Sequence, residues 1–330
     1  MSDDEELTYA DAGVDIEASE AATSALVGAV GDIDESEYAG LLDIGDRYLA
    51  LATDGVGTKL LVAEALGDYS TVGIDCIAMN ANDLVASGVK PVAFVDYLAV
   101  DEPSETFSQQ VGDGLAAGAE EAGVALVGGE TAVMPEVIKG LDLAGACVGL
   151  APKDAVFPGE AEVGDALVGF PASGIHSNGL TLAREAATRN YDYDDPFPLD
   201  AEDGGEARSV GEVLLEPTRI YTYLLDHLRD WDVHAAAHVT GGGWTNLSRM
   251  GEFRYEITDP FDAHPVFEFV QAEGNVSDEE MHRTFNMGTG FVVALPADDA
   301  ESLAAETDGR IVGEVEEGDS VAIRGLELKG

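Results

Sequence analysis

Cations are scarce in this chain. Its 330 residues hold 16 lysines and arginines against 65 aspartates and glutamates, a formal net charge of -49. A surface so uniformly negative excludes nucleic acid and anionic membrane as general partners, since both are repelled at long range. Cysteine is nearly absent. Cys76 and Cys147 form no CxxC pair, and no Cys/His cluster has zinc-ligand spacing. Their apolar neighbours predict small buried thiols rather than a disulfide. No run reaches the roughly 18 uninterrupted apolar residues of a membrane helix. The first residues, Met1 to Glu6, are acidic where a secretory leader is basic and then apolar, so the expected location is cytoplasmic. The P-loop pattern GxxxxGK[ST] is missing, and so is the dinucleotide fingerprint, because Leu60 stands where its last glycine belongs.

Apolar residues are plentiful, at 45% of the chain, and they recur periodically among the acids. That pattern predicts folded cores inside an acidic shell and not a disordered acidic chain. Such a shell repels itself in dilute buffer. At about 1 M salt the Debye length falls to about 3 Å and the repulsion is screened, so the charge predicts adaptation to a salty interior.

The length suggests two domains, and the turn-rich stretch Ala151 to Gly159 places the boundary between 1–152 and 153–330. In the first part, 41–52 reads as a strand running into a glycine-rich turn, 72–87 as a buried helix and 92–100 as a strand. Residues 104–122 read as an amphipathic helix with Phe107, Val111, Leu115 and Ala119 on its apolar face. A short strand at 124–127, a turn at Gly128 to Thr131 and a strand at 141–150 follow. The second part reads as a strand at 165–170, a loop from Ser173 to Gly179 opening a helix, and an Asp/Gly-rich insert at 192–207. A helix near 218–229, a glycine turn at 241–243 and strands near 290–295, 310–315 and 320–328 complete it. The class is α/β or α+β.

Chemistry concentrates in loops that mix glycine with Asp, Asn, His, Ser and Thr. Glycine lets backbone amides approach an anion, and carboxylates hold Mg²⁺ between protein and phosphate. The loop Thr53 to Lys59 fits either a tight turn or a phosphate site. Asp75, Asn82 and Asp83 interrupt an apolar helix on roughly one side. Charges there need a partner or a metal, unless that end of the helix is simply solvated. The loop Ser173 to Gly179 carries His176, Ser177 and Asn178 at a helix N-terminus, a place suited to anions. His238 to Gly243 is too glycine-rich for a packed element.

The ordered set YADAGVDI (9–16), TDGVGTK (53–59), GIDCIAMNANDL (73–84), GGETAVMP (128–135), SGIHSNG (173–179), EPTRIY (216–221), HVTGGG (238–243) and AEGNVSDEEMHRTFNMGTG (272–290) strongly resembles the aminoimidazole ribonucleotide synthetase family over nearly the whole chain. The resemblance implies two α/β domains, with N-terminal strands of two subunits forming a barrel across a homodimer. It implies ATP-dependent closure of formylglycinamidine ribonucleotide to aminoimidazole ribonucleotide through a phosphorylated amide, with Mg²⁺ and, as a further candidate ion, K⁺. Carried over by motif, Asp54 and Asp83 hold the metal, while Gly55, Val56, Gly57, Thr58 and Lys59, together with Asp75 and Glu130, form the ATP site. His176, Asp83 and Lys59 are the catalytic candidates. Ser177, Asn178, Thr218, Arg219, Gly241, Gly242 and Gly243 meet the substrate, with Thr218 and Arg219 on its ribose phosphate or, as an equal alternative, Arg219 in a structural role. Two departures stand out: the stretch from Asp34 to Arg47 is short and lacks lysine, and Val133 replaces a frequent acid, so no metal role is assigned at 128–133. Of the related ATP-using families, thiamine-monophosphate kinase is the nearest alternative, but the set HSNG and MHRTFNMGTG counts against it. A non-catalytic nucleotide-binding protein would be free to lose the carboxylates present here.

Overall fold

The computed structural model describes residues 6–14, 16–30, 38–199 and 207–329. The expectations that fall on residues 1–5, 15, 34–37 and 200–206 lie outside these. Helix α1 (Ile16–Val30) precedes strands β1 (Gly40–Asp43) and β2 (Arg47–Gly55). The single strand expected at 41–52 is thus a hairpin, closed where Ile44 N–H donates to the Arg47 carbonyl and Gly45 N–H to Asp43 Oδ1. Then come α2 (Lys59–Leu66), α3 (Val72–Ala86), β3 (Lys90–Val100), α4 (Glu105–Ala122), β4 (Ala125–Val133) and β5 (Leu141–Pro152). The strands form a sheet in the order β1-β2-β5-β3-β4. Its pairings are antiparallel except β3 with β4, which α4 connects as a crossover. Gly128 to Thr131, expected as a turn, instead pair with Val95 to Leu98 as the middle of edge strand β4.

One face of this sheet is covered. Ala50, Ala52, Phe94, Leu98, Leu143 and Cys147 are buried there against α3, which in turn packs on α4. The two helices meet through glycine. A Cβ on Gly73 would lie 2.2 Å from Leu115 N, and one on Gly114 2.6 Å from the Ser70 carbonyl. That close approach lets Val111, Leu115 and Ala119 bury their side chains, as the periodicity of α4 predicts. The other face is open. Leu51, Val95 and Tyr97 are 46%, 40% and 42% exposed, in register on either side of β5.

The second sheet has the order β12-β11-β8-β10-β6-β9-β7. It is built from β6 (Ala166–Pro171), β7 (Ala235–His238), β8 (Arg254–Ile257), β9 (Thr289–Leu295), β10 (Arg310–Glu316), β11 (Ser320–Ile323) and β12 (Leu326–Leu328). Its helices are α5 (Leu180–Ala187), α6 (Val210–Leu214), α7 (Leu225–Leu228), α8 (Pro265–Gly274), α9 (Asp278–Thr284) and α10 (Ala297–Glu306). The long helix expected near 218–229 reduces to a 3-10 turn at Thr222–Leu224 and the short α7. Pro217 and the backbone of 216–221 are committed elsewhere, as shown below. Helix α3 serves both halves: Val85 and Ala86 enter the core formed by Phe170, Tyr221, Leu224, Phe291 and Leu303. Cys76 and Cys147 are free and buried, and burial pushes the Cys147 thiol up to about 12. No helix among the described residues is long and apolar enough to cross a membrane.

Candidate active site

The polar face of α3 organises the site. Asp75, Asn80 and Asn82 are fully buried in an otherwise apolar helix, and such groups persist only where partners meet them. Asn80 grips the end of β2: its Oδ1 accepts from Asp54 N–H at 2.9 Å and its Nδ2 donates to the Asp54 carbonyl at 3.1 Å. Asn82 holds the 216–221 segment through the Arg219 carbonyl at 2.9 Å and Tyr221 N–H at 2.8 Å. Asp83, one residue on, pairs with His238 Nδ1 at 3.0 Å, while Asn82 Nδ2 lies 3.4 Å from His238 Nε2. The Asp83 carboxylate accepts, so Nδ1 is the donor of that contact.

Asp54 and Asp83 form the acidic end of the site. Burial, and then the charge of Asp83, push the Asp54 carboxyl up to about 6, with Gly55 N–H and His238 pulling back. A buried carboxyl that a neighbouring carboxylate makes harder to ionise is a place where a cation is stabilising. Among the described residues no group of three or more His, Cys, Asp or Glu stands together as a metal cage. Two carboxylates with a nucleotide's phosphates completing the shell is the usual arrangement for Mg²⁺, and the donor set fits that use. Gly57 takes φ 70° between β2 and α2. Thr58 Oγ1 lies 2.9 Å from Thr181 Oγ1, which joins this loop to α5 of the other half. Gly55 is half-buried and Val56 buried beside it.

Lys59 does not reach toward a phosphate. Its side chain is fully buried, with Nζ 2.9 Å from Asp75 Oδ1 and 2.6 Å from the Glu216 carbonyl. Burial lowers its pKa and the Asp75 charge draws it back up. Asp75 likewise faces no opening: Oδ1 also accepts from Thr218 N–H at 2.7 Å and Thr218 Oγ1 at 2.6 Å. The phosphate contacts expected of Lys59 and Asp75 are therefore replaced by a buried pin between the halves. Lys59→Met should cost about 3–5 kcal/mol by stranding a buried carboxylate, read by denaturant unfolding in molar KCl. Wild-type stability in that variant would return Lys59 to a ligand role.

Other expected residues also change role. Arg219 donates to the Pro171 carbonyl and Tyr223 Oη and pairs with Asp308, so its guanidinium is committed within the protein and not to a ribose phosphate. Glu130 sits on exposed β4, opposite Tyr97 in register, away from the α3 cluster. Gly243, at φ 52°, has no room for a Cβ, which would lie 2.3 Å from the His282 carbonyl. It packs on the end of α9. Gly241 and Gly242 are half-buried, and Asn178 Oδ1 lies over Gly241.

His176 is only 2% exposed. Its backbone takes φ 67°, and Ser173 N–H donates to Nε2 at 3.2 Å. Burial above all, with the charges of Lys59 and Arg219 adding to it, holds its pKa well below the usual range. The proton therefore sits on Nδ1, which is buried without a hydrogen-bond partner. Direct proton transfer to a ligand is at odds with this geometry, and holding the 173–179 loop in shape fits it. Beside that loop opens a cavity of about 230 Å³ lined by Ser173, Gly174, Phe197, Arg208, Glu216 and His264. His238 and Asn80 were quoted within motifs but given no role by sequence reasoning. The available signal for Asn80 was its spacing of three from Asp83 on a helix. Tyr38, whose Oη donates to the His238 carbonyl at 3.2 Å, offered no signal.

The two halves match families described as AIR synthase related protein, N-terminal domain (residues 36–151) and C-terminal domain (residues 162–325). The chain is 46% identical to phosphoribosylformylglycinamidine cyclo-ligase of Methanococcoides burtonii, covering 98% of both chains. It is 48% identical to the protein of that name from Pyrococcus horikoshii, covering 90% of both. In structure it is similar to thiamine monophosphate kinase from Aquifex aeolicus, with a TM-score of 0.65 at 15% identity over 96% of this chain and 100% of that one. Hydrogenase maturation protein HypE in complex with ATP gives 0.57 at 17% identity, over 88% of this chain and 81% of that one. These structural likenesses establish the shared two-part α/β fold.

Proposed function

Because the chain belongs to the AIR synthase family through both of its halves, we propose that it is an ATP-dependent ligase closing formylglycinamidine ribonucleotide to aminoimidazole ribonucleotide, with release of ADP and phosphate. The observation that carries this reading is the polar face of α3, which holds Asp54 through Asn80, carries Asp83, and reaches the Ser173–Gly179 loop of the second half through Asp75, Thr218 and Ser177. An amide oxygen is a poor leaving group. Transfer of the γ-phosphoryl group to it gives an imidate phosphate, which the amidine nitrogen attacks, and phosphate leaves with the oxygen as the ring closes.

The chain's part is to position two anionic substrates and offset their charge. Asp54 and Asp83 hold Mg²⁺–ATP in this reading, and the metal neutralises phosphate charge. The Gly55–Thr58 loop supplies backbone to the nucleotide. Asn178, Gly241 and Gly242 face the acceptor, and the cavity lined by Arg208 and His264 beside the loop takes its phosphate ester. The HypE complex with ATP on the same fold supports nucleotide binding here. The decisive assay uses molar KCl, Mg²⁺, ATP and formylglycinamidine ribonucleotide, with the product coupled to a diazo dye. Product formed one-for-one with ADP is expected. Folded, ATP-binding protein that makes none would sink the reading, and thiamine monophosphate would be tried next.

The same reading includes a homodimer. The open sheet face with Leu51, Val95 and Tyr97, and the outer edge of β4, are what a second copy would cover. Leu51→Arg combined with Tyr97→Arg should yield monomers by light scattering in molar KCl, where wild type is dimeric. A dimer that survives both charges places the interface elsewhere.

A further inference from the structure

Asp75, Thr218 and Ser177 form a chain of hydrogen bonds whose direction is determined at one end. Thr218 Oγ1 lies 2.6 Å from Asp75 Oδ1. That oxygen also receives Thr218 N–H at 2.7 Å and Lys59 Nζ at 2.9 Å. A carboxylate paired with a lysine only accepts, so the one hydroxyl proton of Thr218 is spent on Asp75. Ser177 Oγ lies 3.2 Å from Thr218 Oγ1, and with the Thr218 proton already used, Ser177 must be the donor of that bond. Its hydroxyl proton is thus turned inward. Its lone pairs accept no hydrogen bond among the described residues, and Ser177, at 8% exposure, keeps the largest opening of the three.

We propose that Asp75, acting through Thr218, locks the Ser177 hydroxyl as a hydrogen-bond acceptor for an N–H group of the substrate. This rests on the proposed cyclisation, where the amidine is the N–H-bearing group that must be aimed at the activated carbon. A hydroxyl locked in this sense is a poor partner for a phosphate oxygen, which needs donors. Ser177 then touches substrate, whereas Thr218 and Asp75 are positioning residues. The arrangement also selects against ligands presenting a carbonyl or an ether oxygen at that point, because acceptor would face acceptor.

The test compares wild type with Thr218→Val, Thr218→Ser, Ser177→Ala and the double variant Thr218→Val/Ser177→Ala in molar KCl. Steady-state constants for both substrates and melting temperatures are measured. Loss of one oriented hydrogen bond should raise KM for formylglycinamidine ribonucleotide about tenfold in Thr218→Val and in Ser177→Ala. KM for ATP should stay within about twofold, Thr218→Ser should restore most of the loss, and the double variant should be no worse than either single one, as groups in one chain of bonds are non-additive. Equal rises in both KM values, additive losses, or a Thr218→Ser no better than Thr218→Val would overturn the relay. Should Thr218→Val fail to fold, Ser177→Ala decides alone, since an unchanged KM for the ribonucleotide in that variant also overturns it. An inactive wild type would remove the parent reading, whereas an active wild type with unmoved variants removes only the relay.

Discussion

Asp83→Asn is expected to leave a folded protein that turns over about 10²–10³ times more slowly, the scale set by removing one preorganised electrostatic contact from a reacting centre. The side chain is 17% exposed, and its Oδ1 takes the His238 Nδ1 contact at 3.0 Å. An asparagine of the same shape can keep that contact through its own carbonyl oxygen, so the melting temperature should hardly move. What disappears is a negative charge beside Asp54. Without it Asp54 ionises more readily, because Asp83 is the second cause, after burial, of its raised pKa. The remaining carboxylate binds Mg²⁺ more weakly by itself. A pH consequence follows for the wild type. Metal must displace the proton that Asp54 carries below about 6, so Mg²⁺ affinity should fall as pH drops through that value. It should vary less around pH 6 in Asp83→Asn. Kinetics at saturating and limiting Mg²⁺, alongside thermal melts, check both statements. Near-wild-type turnover in Asp83→Asn would remove Asp83 from the metal site.

The second large effect concerns salt. In dilute buffer of about 0.01 M the Debye length is about 30 Å, so charges across the whole molecule repel one another; at about 1 M it is about 3 Å. With 65 acids and 16 bases, most surface carboxylates have no cation to face. Several of the bases are already committed: Lys59 and Arg219 inside the protein, and Arg254 to Glu256, Glu316 and Glu327. Cooperative unfolding and activity should therefore persist in molar KCl and be lost on dialysis to low salt. Circular dichroism melts across a KCl series measure it. A melting temperature independent of ionic strength would falsify the adaptation.

Much of the fold was legible because local periodicity and tertiary packing agree. α4 shows its apolar stripe and α3 its run of small and apolar residues, and both lie within a residue or two of where the pattern puts them. Legibility failed where distant partners decide. Gly128 to Thr131 looks like a turn in isolation, yet β3 supplies a ladder that holds it straight. Residues 216–221 carry helix-compatible side chains, but Pro217 and the bonds from Lys59, Asp75 and Asn82 keep the segment out of a helix. Tyr38 shows the same limit in the site, since it joins it through the carbonyl of a residue two hundred positions away.

The order of motifs was enough to identify the family, and the composition alone raised the salt question, because both are properties of the chain that no folding step alters. The sequence also marked which polar residues stand in improbable places, Asp75, Asn82 and Asp83 among them. Which of these meet one another was decided only by the tertiary structure. Lysine 59 and aspartate 75 look alike, from sequence, to any pair of phosphate and metal ligands. Burial removes water from both, and a desolvated charge takes the nearest opposite charge, so the two became the pin between the halves.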